Sequence, residues 1–533
     1  MAIARLVGAL LAVSLAAWPQ ALQLQSYPQK VRTFHPLADP AAPKKAQAQV
    51  MVPTPAGCPI REVRLSHRSE DGAVWVAGTA AVARHTPGQG WEYFAGRRYL
   101  PEGEVRGLVV ERPDLVWIRG DAGWSRIEFR PMTLEAKAAE FEKRIQARHN
   151  RYGMVADSEL TIPGDLGSNR PVPNDNDGLW TAIYAAAESF RYAVTRSPEA
   201  RAYARRSIEA LMRLEEITGQ PGFPARSYVR KGDYRPPGGV WRDTADGQFE
   251  WKADTSSDEV VGHFFAHALY YDLVAEEPEK PRIRGVVGRI MSHLLDHGYN
   301  LVDRVTGKPT TWGEWSPEFF QTSKGRVEIA LNSAELLSHL RVAHYLTGQE
   351  RFLEAYRTLI GSHGYARNTT RYLELRSDIN YSDEELAMLS FYPLFLYEKD
   401  PALARTYRQG MEGWWQNIRR QKNPLWIFIY QQATGTREHT RDAVWSLARY
   451  PMDLITWTVE NLSRADVRPQ TQPDRFRRGQ IRELLPPDER RVHRWNTNVF
   501  SPDGGNGGRG EDDGAAFLLP YWMGRYHGFI TEK

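Results

Sequence analysis

The strongest constraint on the fold is a series of paired helical segments that begins near Thr133 and fills the rest of the chain. Apolar side chains recur there at the three- and four-residue spacing of amphipathic helices. The predicted helices cover 133–149, 180–194, 199–217, 259–274, 283–295, 326–346, 350–360, 383–397, 402–418 and, in a last pair, 452–462. Roughly ten to twelve helices in successive hairpins predict a mainly α fold, an (α/α)n toroid of about six hairpins over residues 132–533.

The part of the chain before these helices has the character of a small β module. Trp75 and Trp117 occupy similar short strand-like segments and stand 42 residues apart, which is the period of a propeller blade. Two such repeats are too few for a closed propeller, which has at least about four blades. We therefore predict a β module over 60–131 that packs on the helical domain, either as a binding element or as a structural brace. Residues 22–59, rich in Pro, Ala, Gln and Lys, are predicted to be a linker.

The N-terminus predicts export from the cytoplasm. Arg5 precedes an apolar run from Leu6 to Ala17, and small residues follow, as in a signal peptide. The run is shorter than the roughly 20 residues that span a membrane, although an N-terminal anchor is the alternative. Cys58 is the only cysteine, so no internal disulfide is possible. We predict a signal peptide over 1–21, no stable membrane insertion, and a secreted or periplasmic location.

The composition and the absence of short motifs exclude several functional classes. The net charge is +4 with acidic and basic residues interspersed, so no basic stripe for nucleic acid is present. The chain contains no G-x-S-x-G, no P-loop, no H-E-x-x-H and no paired C-x-x-C. No set of potential ligands has the spacing of a metal site. We expect no cofactor and no metal, and the sequence does not specify an oligomeric state.

Four polar and aromatic clusters stand before predicted helices and contain most of the candidate site residues. In chain order these are Asp175, Asp177 and Trp180; Glu259 and His263; Trp312, Glu314 and Trp315; and Asn380, Tyr381 and Asp383. The first helices of successive hairpins share a direction in a toroid, so these clusters are expected to meet at one rim. Asn332 and Glu335, which lie near the start of the predicted helix 326–346, are expected to join them.

Each cluster also has a structural alternative. Asp177 and Asp383 stand where an N-cap belongs, and a cap alone explains one such residue per helix. Glu259 and His263 share a helical face at i, i+4, which fits an acid/base pair, half of a metal site, or a surface ion pair. The alternative for the tryptophans around Glu314 is that they fill the core.

The third cluster carries the strongest indication of function. Two tryptophans that flank a carboxylate suit a sugar ring, which stacks its C–H face on aromatic rings while the acid reaches the linking oxygen. The chain has 17 Trp and 24 Tyr, many of them in the loops between predicted helices. An aromatic-lined acidic cleft on an exported protein favours a polysaccharide or oligosaccharide as the substrate.

With its successive hairpins and the loops TWGEWSP, NDNDGLW and NYSDEEL, the chain resembles the secreted (α/α)6-toroid enzymes that degrade polysaccharides, glycoside hydrolases and polysaccharide lyases alike. The resemblance covers roughly 133–530. Segments 91–94 and 100–105 are similar to repeats of two-component-regulator propellers. The resemblance implies a carbohydrate-active enzyme and transfers no catalytic residue.

Hydrolysis by a carboxylate pair is the first of three hypotheses. One carboxyl protonates the leaving oxygen, and the other acts as base or nucleophile across the scissile bond. Burial against tryptophan favours the protonated form of the acid. The candidates are Glu314 as the acid and Asp177 or Asp383 as the base.

A lyase acting on a uronate-containing glycan is the second hypothesis. It needs a base such as Tyr381 or His263, and donors that neutralise the uronate carboxyl. The candidate donors and carboxyl-binding groups are Asn332, Asn380, Arg226 and Arg371. A glycan-binding or sensory surface protein without turnover is the third hypothesis.

Overall fold

The computed structural model describes residues 21–44, 51–375 and 378–532. The predicted signal peptide, 1–21, lies outside this part except for its last residue. None of the described helices is both long enough and apolar enough to cross a membrane.

Twelve helices of ten or more residues are present in the described part of the chain. They are α1 Leu134–Arg144, α2 Asp177–Thr195, α3 Pro198–Glu216, α4 Ser257–Leu273, α5 Lys280–Asp296, α6 Ser323–Thr347, α7 Glu350–His363, α8 Ser382–Tyr397, α9 Pro401–Ile418, α10 Pro424–Thr434, α11 Thr440–Arg449 and α12 Ala515–Tyr526.

The even-numbered helices form a closed ring. Each packs on the next, from α2 through α4, α6, α8 and α10 to α12, and α12 packs on α2. The odd-numbered helices lie outside: α3 on α2, α5 and α7 on α6, α9 on α8, α11 on α10 and α1 on α12. Six inner and six outer helices make an (α/α)6 toroid, so the predicted fold class is confirmed.

Burial explains the two classes of helix. The inner helix α2 is buried continuously from Asp177 to Phe190, because it contacts neighbours on every side. The outer helix α3 buries one face only, and Ser197 caps it by accepting the N–H of Ala200. Gly348 ends α6 with φ of +68°, a conformation that glycine adopts readily.

The predicted last helix, 452–462, is not formed. Its place is taken by an extended loop, because the Asp453 side chain accepts the N–H of Ile455 at 2.9 Å and the ring N–H of Trp457 at 2.8 Å. The missing hairpin is α10–α11 instead. As an inner helix, α10 is apolar on all sides and so shows little amphipathic period.

Eight strands form two four-stranded antiparallel sheets before the ring. The strands are β1 Tyr27–Pro36, β2 Leu65–Arg68, β3 Val74–Ala77, β4 Ala81–Thr86, β5 Gly90–Ala95, β6 Gly107–Arg112, β7 Leu115–Arg119 and β8 Gly123–Met132. Their orders are β2-β3-β4-β5 and β1-β8-β7-β6. The predicted linker 22–59 therefore contains a strand: β1 pairs with β8 over ten residues, and its polar sequence suits an edge that buries little.

The β module is held against the helical domain by buried polar contacts. Arg98 donates to the backbone oxygens of Asp488 and Arg490 at 3.0 and 2.7 Å. Lys137 on α1 is fully buried and donates to the Gln29 side chain of β1 at 2.7 Å. These buried hydrogen bonds link the two parts, and Lys137 also donates to the backbone oxygens of Leu447 and Tyr450 in the helical domain.

Candidate active site at the rim of the helical ring

The first two predicted clusters meet where α2 and α4 begin. Asn176 donates to the carboxylate of Asp258 at 3.4 Å. Arg226 joins the two segments, because it donates to the Asn176 side chain at 2.8 Å and to Ser256 Oγ at 3.2 Å. Its Nε also lies 3.6 Å from Glu259. Arg226 therefore links the start of α2 to the start of α4 and stands beside the α4 carboxyls of Asp258 and Glu259.

The third cluster lies beside the second. Trp312 forms an isolated β-bridge with Ser256, the residue that caps α4. The ring N–H of Trp315 donates to the Glu335 carboxyl on α6 at 2.6 Å. The loop 311–316 thus covers Glu335, which with Asn332 was expected at the rim without a catalytic role.

The fourth cluster completes the rim at the start of α8. Asn380 donates to the Asp383 carboxylate. Tyr381 is buried and has φ of +67°, a conformation that costs a non-glycine residue roughly 1–3 kcal/mol. Asp383 raises the pKa of Glu335, as Asp258 raises that of Glu385, so the fourth cluster lies near the start of α4 and near Glu335 on α6.

Three fully buried carboxyls lie beneath the rim and favour their protonated forms. Burial raises the pKa of Glu335 to about 8; the Trp315 N–H opposes this, and the charges of Asp258 and Asp383 add to it. Burial likewise raises the pKa of Glu259 to about 8, with Arg226 opposing and Asp258 adding. Burial and Asp258 hold the pKa of Glu385 well above its usual range.

Asp258 is the common neighbour of these buried carboxyls. It is the second residue of α4, and its side chain retains 13% exposure. Its charge acts on Glu259, Glu335 and Glu385, which belong to three different inner helices. The partly exposed Asp258 thus stands near three carboxyls whose pKa values burial raises.

The C-terminal segment supplies rim residues that sequence analysis missed. Arg494 lies 4.4 Å from the ring centre of Trp180 and pairs with Asp513 at 2.8 Å. Burial, reinforced by Asp513, raises the pKa of Asp512 to about 6. The glycine-rich sequence around Asp512 and Asp513 gives no indication that these two carboxyls are buried.

Two predicted site residues are buried structural elements. Asp177 is fully buried, pairs with Arg151 at 2.6 Å and accepts a hydrogen bond from Ser227. Burial raises the pKa of Asp177, although Arg151 opposes this. Trp315 is also fully buried, so its ring has no open face for a sugar and it fills the core. Both carboxylate oxygens of Asp177 have partners within the protein, whereas Glu335 keeps one oxygen, Oε1, without a hydrogen-bond partner.

The other members of the third cluster remain accessible. Trp312 is 56% exposed, and Lys324 Nζ lies 4.4 Å from its ring centre. Asn332 donates to the backbone oxygen of Glu314 at 2.7 Å, which fixes the loop. The Glu314 carboxylate is half-buried and forms no hydrogen bond or ion pair with the described residues.

The remaining predicted residues are engaged elsewhere. His263 is buried one turn below Glu259 and stacks on His267 with ring centres 5.4 Å apart. Burial holds the pKa of His263 well below its usual range, so the ring is neutral. Asp175 pairs with Lys252. Arg371 pairs with Glu374 on its own turn at 2.8 Å, and nothing brings it to the rim.

Potential metal ligands do not converge in the described part of the chain. No group of three or more His, Cys, Asp and Glu side chains there could hold a metal ion. The rim carboxyls instead contact arginine, tryptophan, serine and asparagine. Such neighbours set the protonation state and the orientation of each rim carboxyl, and general acid/base catalysis depends on both.

No family model matches the chain, and no curated protein matches it. Among solved structures, a family 76 glycoside hydrolase from a bovine Bacteroides thetaiotaomicron strain aligns at 11% identity over 88% of this chain and 99% of its own, with a TM-score of 0.37. A cellobiose 2-epimerase from Bacillus thermoamylovorans B4167 aligns at 10% identity over 73% and 98%, with a TM-score of 0.35.

A sugar epimerase from a ruminal bacterium aligns at 10% identity over 58% of this chain and 84% of its own, with a TM-score of 0.31. Likeness at this level assigns neither a reaction nor a substrate to the present chain. Its chemistry must be inferred from its own residues.

Proposed function

We propose that the protein is an exported enzyme that hydrolyses glycosidic bonds, with Glu335 as the general acid and Asp258 as the base or nucleophile. The observation that carries the proposal is the convergence of Asp258 with protonated carboxyls from separate inner helices at one rim. Asp383 supports Glu335 through its charge.

Glu335 is suited to the acid role by its raised pKa and by one oxygen, Oε1, that has no hydrogen-bond partner. The acid must hold a proton near neutral pH, and a pKa of about 8 provides this for Glu335. The second group must reach the substrate, and Asp258 keeps partial exposure in the first turn of α4. Trp312, exposed and bridged to the cap of α4, offers a stacking surface for a sugar.

Glu335 is assigned the role that the sequence suggested for Glu314. A general acid is held protonated when its carboxyl is buried against tryptophan, and Trp315 supplies that burial. The carboxyl it covers is Glu335, twenty residues further along the chain. Glu314 lies next to this tryptophan in sequence but contributes its backbone oxygen to the loop contact.

The groups suggested for a lyase are less suitable. Arg226 is committed to Asn176, Ser256 and Glu259, so it is not available for a uronate carboxyl. The neutral ring of His263 lies below the rim. Hydrolysis therefore accounts for more of the site than β-elimination.

The test compares wild type with Glu335→Gln and Asp258→Asn on a panel of plant and microbial polysaccharides. New reducing ends measure hydrolysis, and ultraviolet absorbance detects the double bond that a lyase forms. We expect reducing ends without absorbance from wild type, and a loss of about 10²–10⁴-fold in kcat for each variant.

Glu354→Gln on α7 is the matched control, since it makes the same change at an exposed position without ion-pair partners among the described residues. It should retain wild-type kcat. Near-normal turnover by folded Glu335→Gln would refute the assignment. An absorbing product, or no reducing ends across the panel, would refute hydrolysis itself.

A further inference from the structure

A second candidate binding site lies where the β module meets the helical domain. A cavity of about 450 Å³ is lined by β1 and β5 on one side and by 448–455 on the other. This volume falls within the range of about 300–1,000 Å³ that is common for small-molecule sites. The cavity shares none of the rim residues Asp258, Glu335 and Glu385.

Two arginines that line this cavity have no acidic partner among the described residues. Arg98 is 2% exposed; its Nη1 donates to the backbone oxygens of Asp488 and Arg490, while Nε and Nη2 have no partner. Arg32 donates to the Ser125 hydroxyl at 3.0 Å. Burial, reinforced by a neighbouring cation, lowers the pKa of Arg32 to about 10. Both cations would be stabilised by an anion.

The acidic side chains of the cavity are already engaged. Glu92 and Asp488 pair with Lys30, Asp488 also pairs with Arg449, Glu511 pairs with Arg144 and Arg148, and Asp453 accepts the N–H groups of Ile455 and Trp457. Five basic side chains and four carboxylates line the cavity, which leaves one surplus positive charge. The complementary ligand is a small molecule with one negative charge.

Aromatic rings narrow the choice of anion. Trp91, Tyr99 and Trp457 line the same cavity as the arginines. An aromatic ring takes the C–H face of a sugar, and a guanidinium binds a carboxylate through two parallel hydrogen bonds. A sugar that carries a carboxylate uses both features.

We propose that this cavity binds an acidic sugar, a hexuronate unit, with its carboxylate held by Arg98 and Arg32. The site is separate from the rim and does not depend on hydrolysis there. A failure of binding would leave the proposed function intact, and a failure of turnover would leave this site intact.

The experiment is calorimetric titration of the full chain with D-glucuronate, with D-glucose as the neutral counterpart. Inorganic phosphate and glucose 6-phosphate distinguish a carboxylate site from a phosphate site. We expect saturable binding of one glucuronate, at least about tenfold tighter than glucose, because each charge-assisted hydrogen bond contributes roughly this factor or more.

Arg32→Gln and Arg98→Gln should each weaken glucuronate binding by about tenfold or more. Arg119→Gln, an exposed position on β7 outside the cavity, is the matched control and should bind like wild type. If Arg98→Gln does not fold, the half-buried Arg32 decides the outcome. Equal affinity for glucose, tighter binding of either phosphate, absent saturation, or unchanged binding by folded Arg32→Gln would overturn the proposal.

Discussion

Replacing the proposed acid should make the protein more stable while it abolishes turnover. Glu335 is fully buried, and only one of its oxygens has a partner, the ring N–H of Trp315. In Glu335→Gln the amide oxygen can accept the same hydrogen bond, and the amide nitrogen takes the place of the oxygen that has none. The substitution therefore changes the ionisation of the site more than its packing.

The magnitude follows from the pKa of Glu335, which is raised from 4.5 to about 8. Between these values the unfolded chain ionises this carboxyl while the folded protein keeps it protonated. Folding then takes up a proton, so stability falls by about 1.4 kcal/mol per pH unit as pH rises through this window. At pH 7 the carboxyl costs about 3 kcal/mol, a cost that glutamine does not carry.

Thermal unfolding of both proteins between pH 4 and 8 measures this difference. A chain of about 500 ordered residues has an unfolding entropy near 1 kcal/mol/K, so Glu335→Gln should raise Tm by about 3 °C at pH 7. The difference should vanish at pH 4, where both states of wild type are protonated. A constant difference across this range, or a lower Tm for the variant at pH 7, would show that Glu335 is not held protonated.

Two further predictions concern the same rim. The kcat of wild type should fall as pH rises above about 8, because Glu335 then loses the proton that it donates; a rate that stays level to pH 10 in the folded enzyme would exclude it as the acid. Arg151→Met should destabilise the protein by about 3–5 kcal/mol in urea unfolding, because it leaves the buried Asp177 unpaired. Arg151→Met should retain its activity per folded molecule. A loss of activity at unchanged stability would indicate that Asp177 takes part in catalysis.

Many helices of the ring could be predicted from sequence, and the outer ones are the clearest because they are amphipathic, although the outer helix α11 also buries one face and was not predicted. Segments such as 199–217 and 402–418 bury one face, and the period of their apolar residues gives both position and length. The helix α10 escaped prediction because an inner helix is apolar on every side and carries little periodic signal. The strand β1 escaped prediction because it is held by backbone pairing with β8. Its sequence does not alternate apolar and polar residues, the pattern that indicates a strand.

The location of the candidate site was easier to predict than its residues. Clusters before successive inner helices meet because those helices share one direction. Glu335 could be placed near the rim because it lies close to a predicted helix start, but nothing in the local sequence around Glu335 or Glu385 indicates that these carboxyls are buried. Their burial depends on Trp315 and on neighbouring helices, and such contacts are absent from any short stretch of sequence.

The tripeptide Ser-Asp-Glu opens both α4 and α8, and the corresponding residues of the two copies make similar contacts. In each, the glutamate serves the helix start: Glu259 accepts the N–H of Ser256 at 3.2 Å, and Glu384 accepts that of Asn380 at 3.4 Å. The preceding aspartates, Asp258 and Asp383, do not accept these N–H groups. The charge of each aspartate raises the pKa of the Glu335 carboxyl. Asp258 also accepts the hydroxyl of the capping Ser256 at 2.7 Å, so it takes part in the helix start. The property that the two aspartates share is their effect on the pKa of Glu335.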